Sequence, residues 1–264
     1  MTRPYFYYYL FLILALSLPA CQPGEVSQEI NINISDELKV ELWEVLSPSQ
    51  RELELRVSTL EDLDCENYSL SFSFYQTINN SIISINNIVS PPECIPGVAP
   101  AFNQVDIGHF LEGDHSIELN LKDSEITNLG LLKVRQNFYE LEMESDHGFY
   151  LPWKVLNRVP DDLIWGYLTM EETADQNAIL EEFNTRMAPL VDNTILFDGE
   201  YGYFEVENRV AVSIRDQQNT ISDKIFLFKQ IGTSTEIKAE LDGLRSDFSD
   251  QINFRVLFSD GSSF

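Results

Sequence analysis

Between Leu38 and Met143 the chain keeps returning to one pattern: apolar and polar residues alternate over short runs. Leu38, Val40 and Leu42 alternate with Lys39, Glu41 and Trp43. Leu53, Leu55 and Val57 alternate with Glu52, Glu54 and Arg56, and Leu70, Phe72 and Phe74 with serines and a tyrosine. A side-chain period of two places one row of residues in a core and the next in water, which a strand can do and a helix cannot. Ile83-Ser84-Ile85, Gln104–Ile107, Ile117 to Leu121, Leu131–Val134 and Phe138–Met143 extend the series. Pro91, Pro92 and Pro96 interrupt it, because each removes a ladder N–H, and predict a loop or an edge there.

The period changes in the C-terminal part. Leu163–Leu168 reads as a strand. Thr173, with Gln176 three residues on, has the form of a capping box. Behind it Ile179, Leu180, Phe183 and Met187 recur at helical spacing, and Pro189 ends the helix. Strands are predicted at Thr194–Phe197, Tyr203–Val206, Val210–Ile214 and Lys224–Phe228, with turns at Asp198-Gly199 and Asp216–Thr220. A second helix opens at Thr233 with Glu236 three residues later. Its core stripe is Ile237, Leu241, Leu244 and Phe248, with Lys238 on the wet face. Ile252, Phe254, Val256 and Phe258 form the last strand face.

These patterns divide the chain. Residues 36–147 predict an antiparallel β-sandwich, immunoglobulin-like in architecture though without the Cys…Trp…Cys spacing of true immunoglobulin domains. Residues 148–161, bracketed by Pro152 and Pro160, read as a junction. Residues 162–264 predict an α+β domain whose order resembles the ferredoxin-like split-βαβ pattern with an extra hairpin. Two helices on one sheet face would leave the other face available.

The N-terminus is of another kind. Arg3 is the one charged residue in 1–20, and Tyr5 to Leu18 is apolar or aromatic except for Ser17. That is a positive n-region and an h-region shorter than a membrane span. It ends in Leu18-Pro19-Ala20-Cys21, which resembles the lipobox of bacterial lipoproteins. The resemblance implies a signal peptide over 1–20, cleavage before Cys21, lipid on the Cys21 sulfur and amine, and a tether over 21–35. It covers residues 1–21 only. The alternative is an ordinary signal peptide followed by a chance cysteine. Gln22 in place of the Asp of inner-membrane retention points to the outer membrane, at its periplasmic face or the cell surface. With Cys21 acylated, Cys65 and Cys94 remain as an even pair in an oxidising compartment, which predicts a disulfide between them rather than two buried thiols.

The full chain carries 43 acids against 17 Lys and Arg, a net charge of −26. Such a body is repelled by phosphate backbones, so nucleic acid is excluded as a partner. Its 44% apolar content argues for folded cores rather than an acidic tail. No catalytic motif stands out: the chain lacks a G-x-S-x-G elbow, a P-loop and a G-x-G-x-x-G, and no cofactor is implied. Asp106, His109, Glu112, Asp114 and His115 are better explained as a solvated hairpin than as a metal site. Trp153, Trp165, Tyr167, Tyr201 and Tyr203 cluster in and after the junction. As exposed rings they would face a ligand or a protein partner; as packed rings they would fill the cores and the seam between domains. The reading is a non-enzymatic, lipid-anchored envelope protein that presents a binding surface to a protein or glycan partner. Its alternatives are a glycan-binding lipoprotein of a nutrient-uptake system and an envelope hydrolase.

Overall fold

A computed structural model describes the backbone of residues 29–30 and the chain over 38–78, 80–122, 127–215, 223–249 and 251–264. The expected signal peptide, Cys21, the expected tether outside 29–30 and the expected turn at 216–220 lie outside the described residues. The described part is β-rich, with two helices. Its first half comprises β1 (Glu29–Ile30), β2 (Leu38–Val45), β3 (Glu52–Cys65), β4 (Ser69–Gln76), β5 (Asn80–Val89) and β6 (Pro96–Gly108). It continues with β7 (Gly113–Leu121), β8 (Thr127–Val134), β9 (Phe138–Met143), β10 (Phe149–Tyr150) and β11 (Val155–Asn157).

These strands form two sheets. One runs β1-β5-β7-β8-β9-β11, with β4 on the opposite edge of β5; the other runs β10-β2-β3-β6. The alternating residues do what their period demands. Leu38, Val40, Leu42, Leu53, Leu55 and Val57 of the second sheet share one core with Ile83, Ile85, Ile117, Leu119, Leu132 and Leu141 of the first. The sheets are mixed rather than wholly antiparallel. After β5 the chain crosses to pair β6 with β3, then returns as β7 parallel to β5. A strand that leaves a sheet and comes back cannot enter as a hairpin partner. Residues 148–161 are not a free junction: β10 pairs parallel to β2, and β11 pairs with β9.

Cys65, at the end of β3, and Cys94 form a disulfide with Cα atoms 5.4 Å apart. It closes a ribbon that Glu66 N–H to Ile95 O (3.0 Å) and Asn67 Nδ2 to Glu93 O (2.9 Å) also hold. The three prolines are thus accommodated at the ribbon's end, with β6 beginning at Pro96 opposite Cys65.

The second half contains β12 (Leu163–Met170), α1 (Gln176–Met187), β13 (Val191–Asp192), β14 (Gly199–Glu200), β15 (Phe204–Glu207), β16 (Val210–Ile214), β17 (Asp223–Gln230), α2 (Ser234–Asp247) and β18 (Ile252–Phe258). β13, β17, β12 and β18 form an antiparallel sheet in that order. Ile164, Leu168, Phe226, Phe254 and Val256 face Ile179, Phe183 and Met187 of α1 and Ile237, Leu241 and Leu244 of α2. Gly166 sits at the centre because a Cβ there would stand 2.1 Å from the Arg255 carbonyl oxygen.

Four local expectations are corrected. The cap of α1 is Asp175, whose carboxylate accepts the Ala178 N–H at 3.2 Å, so Thr173 and Gln176 form no box. Thr194–Phe197 is no strand: Leu196 is buried, but Ile195 and Phe197 point into solvent, and no ladder holds the segment. Lys238 is not on a bare wet face, since its ammonium lies 5.4 Å above the Phe258 ring. Most consequentially, the second sheet face is not available. The three-stranded sheet β14-β15-β16 covers it, packing Tyr201, Phe204, Val206 and Ile214 onto Leu163 and Trp165.

Candidate functional site

The layer over that second face joins the two halves of the chain. Trp43 lies on the outward side of β2, yet is 3% exposed. Its ring meets Tyr203 at 4.9 Å, and Tyr203 continues to Trp165 at 5.6 Å. Gly202, at φ +80°, lets the backbone lie flat against the indole, with its Cβ position 3.4 Å from the ring. The Arg56 guanidinium stacks on the Trp43 ring at 3.4 Å. Arg215 reaches Glu41 of β2 at 3.2 Å and Glu200 of β14 at 2.8 Å, and lies 4.1 Å above the Trp153 ring. Burial raises the Glu200 carboxyl above its ordinary range, against the pull of Arg215.

Beside this aromatic layer is a buried carboxylate. Glu44 is fully buried and accepts hydrogen bonds from the Tyr139 hydroxyl at 2.8 Å, the Val159 N–H at 3.0 Å and Arg51 Nη1 at 3.1 Å. Arg158 Nε stands 3.5 Å away. Each acceptor site has a donor, the condition under which a buried charge is tolerated. Burial first, and the Glu44 charge second, push the Tyr139 hydroxyl far above the ordinary tyrosine range. The cluster pins β2, β9 and the segment leading to β12 at one point. It is a structural hub, because every polar group in it is already engaged.

The aromatic residues singled out in the sequence are brought together here, but as filling. Trp165 and Tyr201 are buried, so neither offers a ring face to a ligand. Trp153, Tyr167 and Tyr203 are half-buried against the same seam. Burial pushes the Tyr201 hydroxyl up to about 12, although it donates to the Phe197 carbonyl at 3.1 Å. His109 and His115 contact backbone carbonyls of Arg51 and Leu111 rather than a shared centre. Among the described residues no group of three or more His, Cys, Asp or Glu is placed to hold a metal ion.

Concave surface lies at the rim of the seam. A cleft of about 450 Å³ opens between the β8–β9 turn (Gln136, Asn137), the segment Arg158 to Asp161, and the loop Thr194 to Phe197. A second hollow of about 340 Å³ lies on the other side of that loop, against Asp198 and Arg209. The loop stands between them with Ile195 72% and Phe197 68% exposed. Leu196 anchors it in the core with Tyr201 and Val206.

No protein-family profile, curated protein or solved structure matches the chain. The chemistry of the site therefore rests on its own geometry. The charged groups of the cleft are committed, Arg158 beside Glu44 and Asp161 to Arg51 at 2.9 Å. The Gln136, Asn137 and Thr194 side chains make no hydrogen bond among the described residues. Gln136 and Asn137 give the cleft a hydrogen-bonding lip, and the 194–197 loop, with Ile195 and Phe197, gives a largely apolar one. That arrangement suits recognition, in which an apolar anchor is buried and polar groups fix its orientation. The sequence places Ile195 and Phe197 in a strand because a short apolar run looks the same whether a sheet or solvent receives it. The remaining signal was the uninterrupted Ile195-Leu196-Phe197 set between Asn193 and Asp198-Gly199.

Proposed function

We propose that the protein is a non-enzymatic cell-envelope protein, held to the outer membrane by lipid on Cys21, that presents the 194–198 loop and its cleft to a protein partner. One observation carries the interaction reading: two large apolar side chains, Ile195 and Phe197, project into solvent on either side of a buried anchor and beside a cleft. Leaving such a pair exposed costs solubility with no gain in folding, and contiguous apolar surface of this kind marks contact sites. A protein partner fits better than a glycan, because the large rings that would form a stacking platform, Trp165 and Tyr201, are buried. The Leu18–Cys21 sequence after its short h-region supports the anchor.

In this reading the first half is an immunoglobulin-like sandwich with a parallel crossover. The second half is a ferredoxin-like split-βαβ unit, supported by the order β13-β17-β12-β18 with α1 and α2 on one face. The β14–β16 insertion carries the recognition loop. A photoreactive amino acid at position 197, activated in intact envelopes, tests the surface: a defined cross-linked protein is expected, and its absence there counts against the reading. Metabolic labelling with an acyl-chain analogue tests the anchor separately, with label expected on the natural chain and lost in Cys21→Ser.

A further inference from the structure

We propose that the disulfide end of the first half is the membrane-facing end of the molecule, stood off anionic lipid by its own acids, and that the cleft lies at the opposite end. The proposal rests on the Cys21 anchor proposed above and adds which end of the body that anchor holds.

The backbone pairing of β1 carries it. Glu29 and Ile30 pair with Val89 and Ile88, at the close of β5. Glu29 follows Cys21 by eight residues, which span at most about 29 Å by any path. The acylated residue and the end of β5 therefore stay within that reach of each other. Ser69, the first residue of β4, is opposite Val89 on the other edge of β5. Cys65 precedes Ser69 by four residues and Cys94 follows Val89 by five, so the ribbon closed by the disulfide occupies the same end.

Register places the cleft at the other end. From Val89 back to Asn80 is about 30 Å of strand, and parallel pairing puts Asn80 beside Ser116 of β7. β7 begins still further out, at Gly113, which is opposite Val134 of β8. The turn after Val134 carries Gln136 and Asn137, which line the cleft. β4 ends on this side too, where the Gln76 amide donates to the Ile107 carbonyl at 2.9 Å. Gly108 next to it is opposite Leu53, so the adjoining β2–β3 turn brings Leu46 and Arg51 to the seam here.

Charge sets how closely the anchored end approaches lipid. The ribbon and its turns carry Glu61, Asp62, Asp64, Glu66 and Glu93, all exposed. No Lys or Arg occurs between Arg56 and Lys122 to offset them. An anionic lipid surface repels such an end, over a range of about 30 Å at 0.01 M salt and about 8 Å at 0.15 M. The first range equals the full reach of the tether, and the second lies well inside it. At low salt the ribbon is therefore pushed to the tether's limit over anionic lipid, and salt or a zwitterionic surface lets it come close.

The test uses the full acylated chain with a fluorescent amino acid at one position. It is reconstituted into phosphatidylcholine vesicles that carry an energy-transfer acceptor on their head groups. Three positions are compared: Val98 on the ribbon, 70% exposed, Ile78 at the β4–β5 turn, 92% exposed, and Phe197. Transfer from 98 should exceed that from 78 and from 197 by about twofold or more, because ~30 Å of strand separates the ends. With phosphatidylglycerol in the vesicles, transfer from 98 should fall at about 0.01 M salt and recover by about 0.15 M. Glu61→Gln, Asp62→Asn and Asp64→Asn combined should at least halve that fall, with thermal melting unchanged because the three side chains are exposed. Equal transfer from 98 and 78, greater transfer from 197, no fall with phosphatidylglycerol, or a fall that the triple variant keeps in full overturns the proposal. If the chain is still acylated and vesicle-bound, the anchor reading survives that result. A chain that takes up no acyl label removes both.

Discussion

At the scale of single residues, the fold depends on polar groups that hydrophobic periodicity does not report. Glu44 sits in an alternating run and reads as a surface acid. It is instead the acceptor at which Tyr139, Val159, Arg51 and Arg158 converge. Glu44→Ala leaves two guanidinium groups without their shared partner and should cost about 3–5 kcal/mol. Glu44→Gln keeps an acceptor and should cost less. Urea unfolding of the two variants measures the difference. Tyr201 gives a titration with a clear sign. Its hydroxyl is neutral in the fold up to about 12, while in the unfolded chain it ionises near 10. Its contribution is fully present below pH 10 and is lost as pH rises from 10 towards 12. Tyr201→Phe should therefore flatten the alkaline limb of a stability–pH curve and leave the neutral region less affected.

At the scale of elements, legibility follows from whether an element's evidence is local. The runs Leu38–Trp43, Glu52–Val57 and Ile252–Phe258, and the stripe Ile237, Leu241 and Leu244, were readable because side-chain period alone determines which residues go inside; the continuation of β3 to Cys65 was not. The Thr233–Glu236 box was readable for the same reason, and both of its reciprocal bonds are present. Thr233 holds the Glu236 carboxyl below its usual range, a contribution lost as pH falls through the acid range. The start of α1 failed because Thr173 and Asp175 are both good caps, and sequence does not rank them once the preceding strand fixes where the chain turns. Asp175→Ala should cost about 1 kcal/mol, whereas Thr173→Ala should stay within about 0.5 kcal/mol. Thermal denaturation of the two single variants distinguishes them. The parallel β5–β7 pairing and the cover of β14–β16 over Trp165 were not readable, since both are settled by contacts between segments distant in sequence. The exposure of the 194–198 loop was missed for a related reason: Ile195 and Phe197 differ from core strand residues only in what fails to cover them.

At the scale of the molecule, the question is whether the two halves behave as one cooperative unit. Trp43 belongs to the first half, but its ring is buried by Gly202 and Tyr203 of the second. Leu46 and Val159 likewise enter the core of Trp165 and Phe204. The seam is reinforced at its edge by Arg215 between Glu41 and Glu200, and by Arg51 between Glu44 and Asp161. The Arg215 pairs and the Arg51–Asp161 pair are partly solvated, so each contributes little; the desolvated ring contact and the buried Glu44 hub contribute most. Trp43→Ala should cost about 3–5 kcal/mol by leaving a cavity against Tyr203. It should also do something a mutation inside either core would not. With the shared ring gone, the halves lose their strongest coupling, and the single calorimetric transition expected of the natural chain should split into two. Leu241→Ala, buried wholly within the α-helical core, should lower the melting temperature of the natural single transition without splitting it. A single transition in Trp43→Ala would mean that the Glu44 hub and the ion pairs suffice to couple the halves, and that the aromatic seam is packing without a linking role.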